Sequence, residues 1–271
     1  MVVLKKILDF YINSSLHVAL SAFALVSMTQ YFFGVERDFS VAFFAFFGTV
    51  VGYNFVKYDA IARLNKTELK KELKGIVFLS FISLLACFYF FLQLSWMTKI
   101  SAFTFFGLTL LYTLPFFPNK QNARNWKGVK IYIVAITWVG VTVLLPLQEA
   151  QISFSFDVLL MAIQRFLLVF SLVLVFEIVD VKLDDPHLQT VPQKIGVEPT
   201  KKLGYVLLFL LLLLEFFYTN NHHFLPLFFK LLVCGTIAVF LYFANENRSR
   251  YYASFWVESV PILWWLVLVV F

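Results

Sequence analysis

Charged residues are scarce in this chain of 271 residues, in which Lys, Arg, Asp and Glu together make up only 14% of the sequence. A soluble domain of this size carries more charge than that on its surface. Hydrophobic residues make up 61%, the mean hydropathy is +0.83, and apolar runs of about 18 residues or more recur along the chain. The composition therefore excludes a soluble domain and predicts a polytopic membrane protein.

Cysteine is also scarce, and the two present, Cys87 and Cys234, both lie inside apolar runs. Neither has a second metal-type ligand close in sequence, which argues against disulfides and zinc sites. Residues 1–10 lead into an apolar helix and lack a small-residue cleavage site, so no cleavable signal is expected. Without a soluble domain or a low-complexity tract, residues 1–271 are predicted to form a single transmembrane domain.

Aromatic residues, by contrast, are abundant: there are 35 phenylalanines, and the aromatic content is 20%. This exceeds what spanning a bilayer requires. The phenylalanines could be bulk for helix packing, or they could line a cavity for a large apolar ligand. Packing is a sufficient explanation for most of them.

The apolar runs predict an all-α fold of nine helices, each near the length that a bilayer needs. They are expected at 12–33, 39–58, 74–94, 99–116, 129–148, 157–179, 203–219, 224–244 and 252–271.

The basic residues predict the orientation of these helices. If the N-terminus is cytoplasmic, 18 of the 22 Lys and Arg residues lie in cytoplasmic segments, and only Arg37 and Lys99 lie outside. Positive charge gathers on the cytoplasmic side of membrane proteins, so the C-terminus is expected outside. The net charge of +6 is accounted for by this topology and does not imply nucleic acid.

An acidic stretch follows the apolar run that ends at Phe176. If the helix continues to Asp184, then Glu177, Asp180 and Asp184 fall within an arc of roughly 60° on one face. Three acids on one face repel each other unless a cation lies among them, and a hard divalent ion is the natural candidate. The alternative is a solvated helix end without a ligand.

Four further ionisable residues lie within apolar runs: Arg165, Glu215, Lys230 and Glu258. Each is costly in lipid and is expected to face other helices. They could form a polar pathway or an acceptor-binding network. Structural pairing between neighbouring helices, for example Arg165 with Glu215, is the favoured interpretation.

The acidic stretch and the segment after it resemble the second aspartate motif of the UbiA family of intramembrane prenyltransferases. The motif is present as Glu177-Ile-Val-Asp180-Val-Lys-Leu-Asp184, followed by Thr190-Val-Pro192-Gln-Lys194-Ile-Gly196. The resemblance in helix count and loop placement extends over nearly the whole chain. It implies a UbiA-like bundle of nine transmembrane helices around a central apolar cavity.

The resemblance also implies a Mg²⁺-dependent transfer of a prenyl group from a polyprenyl diphosphate to a lipophilic or aromatic acceptor. The implied catalytic residues are Asp180, Asp184 and Asn54. The implied metal ligands are Glu177, Asp180, Asp184 and Asp59, and the implied diphosphate-binding residues are Lys57, Tyr112, Lys120, Arg124 and Lys194.

The first motif of the family departs from its usual form in this chain. Asn54 is in place, but Phe55 and Tyr58 stand where the family has acids, and Asp59 is one residue late. On a regular helix Asn54 and Asp59 lie about 140° apart, and a tyrosine phenol is a poor magnesium ligand. Lys57 could partly compensate by binding diphosphate directly.

Three functions therefore remain open: a prenyltransferase, a lipid-binding or scaffold protein of the same fold with weakened catalysis, and a cation-coupled secondary transporter. A transporter is expected to carry its ionisable residues near the midplane on interrupted helices in paired repeats, whereas here the acids gather at helix exits. Membrane lipid and the two substrates are the expected partners, and no protein partner can be inferred. A bacterial inner membrane is the simplest location for a chain with so few residues outside the membrane.

Overall fold

The computed structural model describes residues 2–36, 39–64, 71–114, 126, 128–218 and 224–270, excluding the side chains of 2, 59–64, 71–72 and 224–226. These residues form helices and turns, and no strand occurs among them. The α-helices are α1 Val2–Asn13, α2 Leu16–Phe32, α3 Phe39–Leu64, α4 Lys71–Gln93, α5 Trp96–Thr113, α6 Lys130–Val139, α7 Leu145–Glu149, α8 Phe156–Val179, α9 Val191–Ile195, α10 Val197–Leu214, α11 Phe224–Phe243 and α12 Ser259–Val270.

Each predicted segment overlaps one of these helices, but the first differs in shape. Instead of starting at residue 12, the chain is already helical from Val2, and a break at Ser14 and Ser15 bends α1 and α2 by 56°. Ser15 has a positive φ of 63°, which a continuous α-helix of L-residues does not accommodate. α1 therefore leaves the bundle at an angle to α2.

Within the described part of the chain, five helical segments are long and apolar enough to cross a membrane, or six if the bent pair α1–α2 is one span. The number nine for the membrane crossings stays a prediction.

A π-helical turn, Gly140–Leu144, joins α6 to α7, and the resulting segment Lys130–Glu149 is one of the candidate spans. The turn is marked by the N–H of Leu145, which donates to the carbonyl of Gly140, five residues back. Phe105 of α5 packs so closely here that a Cβ added to Gly140 would lie 2.1 Å from its ring. Only glycine leaves room for this contact.

Helix α8 lies at the centre of the described bundle. Buried residues make up 72% of its most apolar stretch, against 11% for α4. Its start is capped by Ser155, whose side chain accepts the N–H of Val158 at 3.3 Å, with Asp157 in the first turn. Both features stabilise a helix N-terminus. Since α8 packs against α6 and α10, side chains at either end of it meet several other helices.

The connecting segments gather at the two ends of the bundle. At one end Lys130 approaches Asp184 at 3.3 Å, Lys182 pairs with Glu246 at 2.7 Å, and Arg250 pairs with Asp9. At the other end Ser40 donates to Gln93 at 2.8 Å, and Glu149 accepts the backbone N–H of Ser95 at 3.0 Å. The first end brings together segments that the basic residues assigned to one side; its cytoplasmic orientation stays a prediction.

The predicted pairing of Arg165 with Glu215 is wrong. Glu215 forms an ion pair with Lys230 instead, and Arg165 donates hydrogen bonds to oxygens of α2 and of the π-helical turn. The partner depends on how α8, α10 and α11 are rotated against each other, which the charges alone do not determine.

Candidate functional site

The acidic stretch forms a tight turn at the end of α8. Helix α8 ends at Val179, and Asp180 caps it with an N–H that donates to the carbonyl of Phe176 at 2.9 Å. The N–H groups of Leu183 and Asp184 both donate to the carbonyl of Asp180 at 2.8 Å. The condition under which Glu177, Asp180 and Asp184 would share one helix face is therefore not met, because the backbone turns back at its cap. The turn nevertheless keeps Asp184 beside Asp180.

Glu177 of α8 forms a hydrogen bond to the segment that follows the turn. Its side chain is buried, and Oε2 accepts the backbone N–H of Val191 at 3.0 Å. Val191 begins the short helix α9, where Gln193 accepts the N–H of Thr190 and Pro192 occupies the first turn. One carboxylate oxygen of the predicted metal ligand Glu177 is thus already hydrogen-bonded to the backbone.

Asp184 lies beside a basic residue that was not among the predicted site residues. The ammonium of Lys130, at the start of α6, is 3.3 Å from Oδ2 of Asp184, and both side chains are largely shielded from solvent. In the sequence Lys130 was visible only as the last basic residue of a segment predicted to be cytoplasmic. Its position immediately before an apolar run, soon after the basic residues Lys120, Arg124 and Lys127, is the signal that could have identified it.

Asp180 is partly buried, and its pKa is raised above the usual range for an aspartate. Burial is the main cause, the neighbouring charge of Asp184 adds to it, and Lys130 opposes it. A carboxylate held in this way is stabilised by any cation that arrives beside it.

Lys194 reaches the same region from α9. Gly128 has a positive φ of 71°, its N–H donates to the carbonyl of Leu188 at 2.9 Å, and a Cβ added to it would lie 3.0 Å from the ammonium of Lys194. The segment before α6 is therefore closed onto the 180–196 loop. Two acids, Asp180 and Asp184, and two ammonium groups, those of Lys130 and Lys194, belong to these two adjoining segments.

The segment compared with the first motif has a different environment. Asn54 is buried, and its Nδ2 donates to the carbonyl of Ser14 at 3.0 Å and to Oγ of Ser80 at 2.9 Å. Its Oδ1 has no partner among the described residues. The side chain of Asp59 lies outside the described part, so its predicted role is not tested.

Two neighbours of Asn54 also hold the break between α1 and α2. Lys57 donates to Oγ of Ser15 at 3.0 Å, and the hydroxyl of Tyr58 donates to the carbonyl of Asn13 at 2.9 Å. This tyrosine, which stands where the family has an acid, therefore has a structural contact. Lys57 nevertheless remains an exposed residue.

No hydrogen bond joins Asn54 to Asp180 or Asp184 in the described part of the chain. The link between the two halves is indirect, through Trp138 of α6, whose Nε1–H donates to the hydroxyl of Tyr53 at 3.0 Å. Trp138 is eight residues from Lys130, or about 12 Å along the helix. Helix α6 thus contacts both halves of the predicted site.

The remaining predicted diphosphate ligands are only partly described. Tyr112 is buried in the last turn of α5, whereas Lys120 and Arg124 lie outside the described residues.

The acidic residues can be compared with the ligands that the predicted magnesium ion would need. Among the described residues, no group of three or more His, Cys, Asp and Glu side chains could hold a metal ion. Magnesium, however, is commonly bound through one or two carboxylates together with waters and substrate phosphates. Asp180 and Asp184 fit that pattern, provided that the diphosphate supplies the other oxygens.

Comparison with known proteins leaves the family open: no family model, no curated protein and no solved structure matches this chain significantly. The resemblance to the UbiA family, which rests on the motif residues, therefore stays a prediction.

Proposed function

We propose that this chain is a UbiA-like prenyltransferase with nine transmembrane helices around a central apolar cavity. It uses Mg²⁺ to transfer a prenyl group from a polyprenyl diphosphate to a lipophilic or aromatic acceptor. One observation carries the proposal: at one end of the bundle Asp180 and Asp184 lie beside each other, and the ammonium of Lys130 is 3.3 Å from Asp184. The ammonium of Lys194 lies against Gly128, two residues before Lys130. That combination suits a magnesium diphosphate.

The reaction breaks the allylic carbon–oxygen bond, the electron pair leaves with the diphosphate, and the acceptor then bonds to the allylic carbon and releases a proton. Mg²⁺, when bound, offsets the charge that develops on the leaving diphosphate. Lys130 and Lys194 offset the same developing charge by contacting the phosphate oxygens directly. Preorganised positive charge lowers the free energy of such a transition state. Asp180 and Asp184 orient the metal-bound substrate at the helix exit.

The turn at 180–184 keeps the diphosphate at the boundary of the membrane, while the apolar helices accommodate the prenyl tail. A water-poor surrounding protects the allylic cation from hydrolysis. Aromatic faces of the many phenylalanines can also stabilise that cation.

The test is prenyl transfer by the purified full-length protein with Mg²⁺, labelled prenyl diphosphates and a panel of quinone-precursor acceptors. Asp180→Asn is expected to reduce turnover by roughly 100-fold or more, because charge stabilisation of the leaving group is lost. The matched control is Asp185→Asn, since Asp185 lies on the same turn but is exposed and bonded to its neighbour His187. Equal turnover of Asp180→Asn and the wild type would remove Asp180 from the site.

A binding or scaffold protein of this fold is the second candidate, and the surroundings of Asn54 favour it. The Asn54 amide donates to Ser14, in the break after α1, and to Ser80 of α4, and the Tyr58 hydroxyl donates to Asn13 of α1. The first half of the site thus has side chains with structural hydrogen bonds where the family has acids. If the protein is a scaffold, calorimetry is expected to show binding of magnesium diphosphate. The acceptor assays are then expected to show no turnover. Absence of diphosphate binding would contradict both candidates and return the transporter to consideration.

The proposed location is a bacterial inner membrane, with the 180–196 loop and the N-terminus in the cytoplasm and the C-terminus outside. Alkaline phosphatase fused after residue 271 is expected to be active, because it folds only outside the cytoplasm. An inactive fusion at residue 271 together with an active one after residue 190, in the predicted cytoplasmic loop, would reverse the orientation.

A further inference from the structure

The two helices of the bent pair α1–α2 differ in charge and length. α2 contains no Lys, Arg, Asp or Glu, and its 17 residues are within the range that can cross a hydrocarbon core. α1 carries Lys5, Lys6 and Asp9 among its 12 residues, and it is only roughly 18 Å long. α1 is therefore too short and too polar to cross a membrane, and α2 can cross without it.

The apolar and the charged side chains of α1 lie on different faces. Val3, Leu4 and Ile7, in its first two turns, are 71, 73 and 61% exposed. At about 100° per residue these three cover an arc of roughly 100°. The three charged residues cover an arc of similar width, and the centres of the two arcs are roughly 160° apart. An exposed apolar face opposite a charged face is typical of a helix that lies in the plane of a membrane interface.

The last turn of α1 contacts two other helical segments at the points where their candidate spans begin. A Cβ added to Gly75 would lie 3.3 Å from Cε2 of Phe10, and Gly75 is two residues into the candidate span of α4. Asp9 forms an ion pair with Arg250, which lies two residues before the candidate span that continues into α12. Both contacts place α1 at the boundary of the membrane.

The break after α1 is held at the same level by the end of a third span. Tyr58 is the last residue of the candidate span in α3, and its hydroxyl donates to the carbonyl of Asn13 at 2.9 Å. Lys57 donates to Oγ of Ser15 at 3.0 Å, where the chain bends by 56°. Three spans thus begin or end beside α1, so α1 runs along the membrane surface at the end of the bundle that carries Asp184.

The two lysines of α1 are complementary in charge to a lipid surface. Lys5 and Lys6 are exposed, and neither forms an ion pair within the described part of the chain. Asp9, the single acid of α1, is already bonded to Arg250 and to the hydroxyl of Tyr251, and Lys5 acts on it less strongly than Arg250 does. The polar face of α1 therefore has an excess of positive charge, which attracts anionic headgroups.

We propose that α1 is a membrane-surface helix that binds anionic phospholipids. Val3, Leu4 and Ile7 lie between the acyl chains just below the headgroups, where burial of apolar surface supplies most of the affinity. Lys5 and Lys6 contact the lipid phosphates through charge-assisted hydrogen bonds. The bent pair then accounts for one crossing, that of α2. The site is independent of the proposed prenyl transfer and of the side of the membrane that it faces.

The first test measures where α1 lies in proteoliposomes of phosphatidylcholine and phosphatidylglycerol. A nitroxide is attached to the full-length protein at Ile7→Cys or, separately, at Lys5→Cys, and the wild type with its intermediate Cys87 and buried Cys234 gives the background. The label at position 7 is expected to collide mainly with oxygen, which concentrates in lipid, and the label at position 5 mainly with a water-soluble nickel chelate.

Three results of this measurement overturn the proposal. If both labels collide mainly with the nickel chelate, α1 lies in water. If both collide mainly with oxygen, α1 is inserted into the bilayer as part of a crossing. Dipolar broadening between labels at position 7 would show that a second copy of the chain covers the apolar face instead of lipid.

The second test measures the preference for anionic headgroups. A bimane fluorophore at Ile7→Cys is quenched by nitroxide-labelled phosphatidylglycerol or phosphatidylcholine, and the anionic lipid is expected to be effective at a roughly three- to fivefold lower fraction. Lys5→Gln combined with Lys6→Gln is expected to make the two lipids equally effective. The matched control, Lys182→Gln combined with Lys202→Gln, removes the same charge from other segments and is expected to keep the preference. Equal quenching by both lipids in the protein that retains Lys5 and Lys6, or the same loss in the control, contradicts the assignment of anionic lipid to α1.

Discussion

Helix α8 carries one polar group of residues at its C-terminal end and another in its N-terminal half, and the two differ in how charge is balanced. At the C-terminal end acids and bases lie in turns next to solvent, and backbone N–H groups fix the chain around them. In the N-terminal half the charges lie between helices, where a side-chain ion pair and hydrogen bonds from neighbouring helices are their partners. The first arrangement keeps Asp180 and Asp184 close to solvent, whereas the second makes each charge depend on its partners.

The largest effect is expected from Lys230→Met, which leaves the largely buried carboxylate of Glu215 without its cation. Removing one partner of a buried ion pair typically costs about 3–5 kcal/mol of unfolding free energy. Denaturant-induced unfolding in detergent, followed by tryptophan fluorescence, measures it. The double variant Lys230→Met with Glu215→Gln should recover much of the loss, and a single variant as stable as the wild type would show that this pair is solvated.

Glu177→Leu is expected to have the next largest effect, because it leaves the N–H of Val191 without an acceptor. An unsatisfied buried donor costs about 1–3 kcal/mol. Glu177→Gln is the matched variant, since its carbonyl can still accept that N–H, and it should retain most of the stability in the same unfolding assay. If Glu177→Gln loses as much as Glu177→Leu, the carboxylate charge and not this hydrogen bond is what stabilises the turn.

Asp180 should make stability depend on pH in the absence of metal. Because burial raises its pKa in the folded protein, its contribution is full below the unfolded pKa and is lost as the pH rises through the folded pKa. Unfolding measured with a chelator between pH 4 and pH 7 should therefore show wild type losing stability relative to Asp180→Asn. A difference between the two proteins that does not change with pH would place Asp180 in a solvated environment.

The smallest effect is expected from the exposed pair of Lys182 and Glu246. Its side chains remain 56% and 39% exposed, and exposed ion pairs typically contribute about 0.2–1 kcal/mol. Lys182→Met should therefore unfold almost as the wild type does, and the difference should vanish at high salt. A loss comparable to that of Lys230→Met would mean that the contrast between the two ends of α8 does not depend on burial.

The course of α8 was predictable from the sequence because local signals agree. The apolar run, together with the acids after Phe176, predicted a helix over 157–179, and the helix observed is Phe156–Val179. The turn after it was not predictable in detail. The carbonyl of Asp180 accepts two N–H groups and Glu177 binds Val191, fourteen residues later, and such a tertiary contact leaves no periodic pattern in the sequence.

The partners of the buried charges could not be predicted for a related reason. The sequence shows that Arg165, Glu215 and Lys230 must each avoid lipid, but the choice of partner depends on the rotation of each helix about its axis. Lys130 was missed in the same way, since its role depends on the approach of α6 to the end of α8. Residue type predicted that these groups would be sheltered from lipid, but helix packing determined which residues are their partners.

The π-helical turn between α6 and α7 makes this part of the chain sensitive to changes in length. Thr142 lies in it, and there its carbonyl accepts Oγ1–H of Thr29 at 2.7 Å while its hydroxyl accepts from Arg165. A π turn amounts to one residue more than an α-helical turn holds. Deleting a single residue from 140–144 would restore regular α-helical turns but remove the local geometry that presents Thr142 to Thr29 and Arg165. A deletion within α6 or α7 would instead rotate one flanking segment by about 100°. Related sequences that keep Arg165 are therefore expected to keep the spacing from Trp138 to Glu149 without insertions or deletions, even where the residue types change.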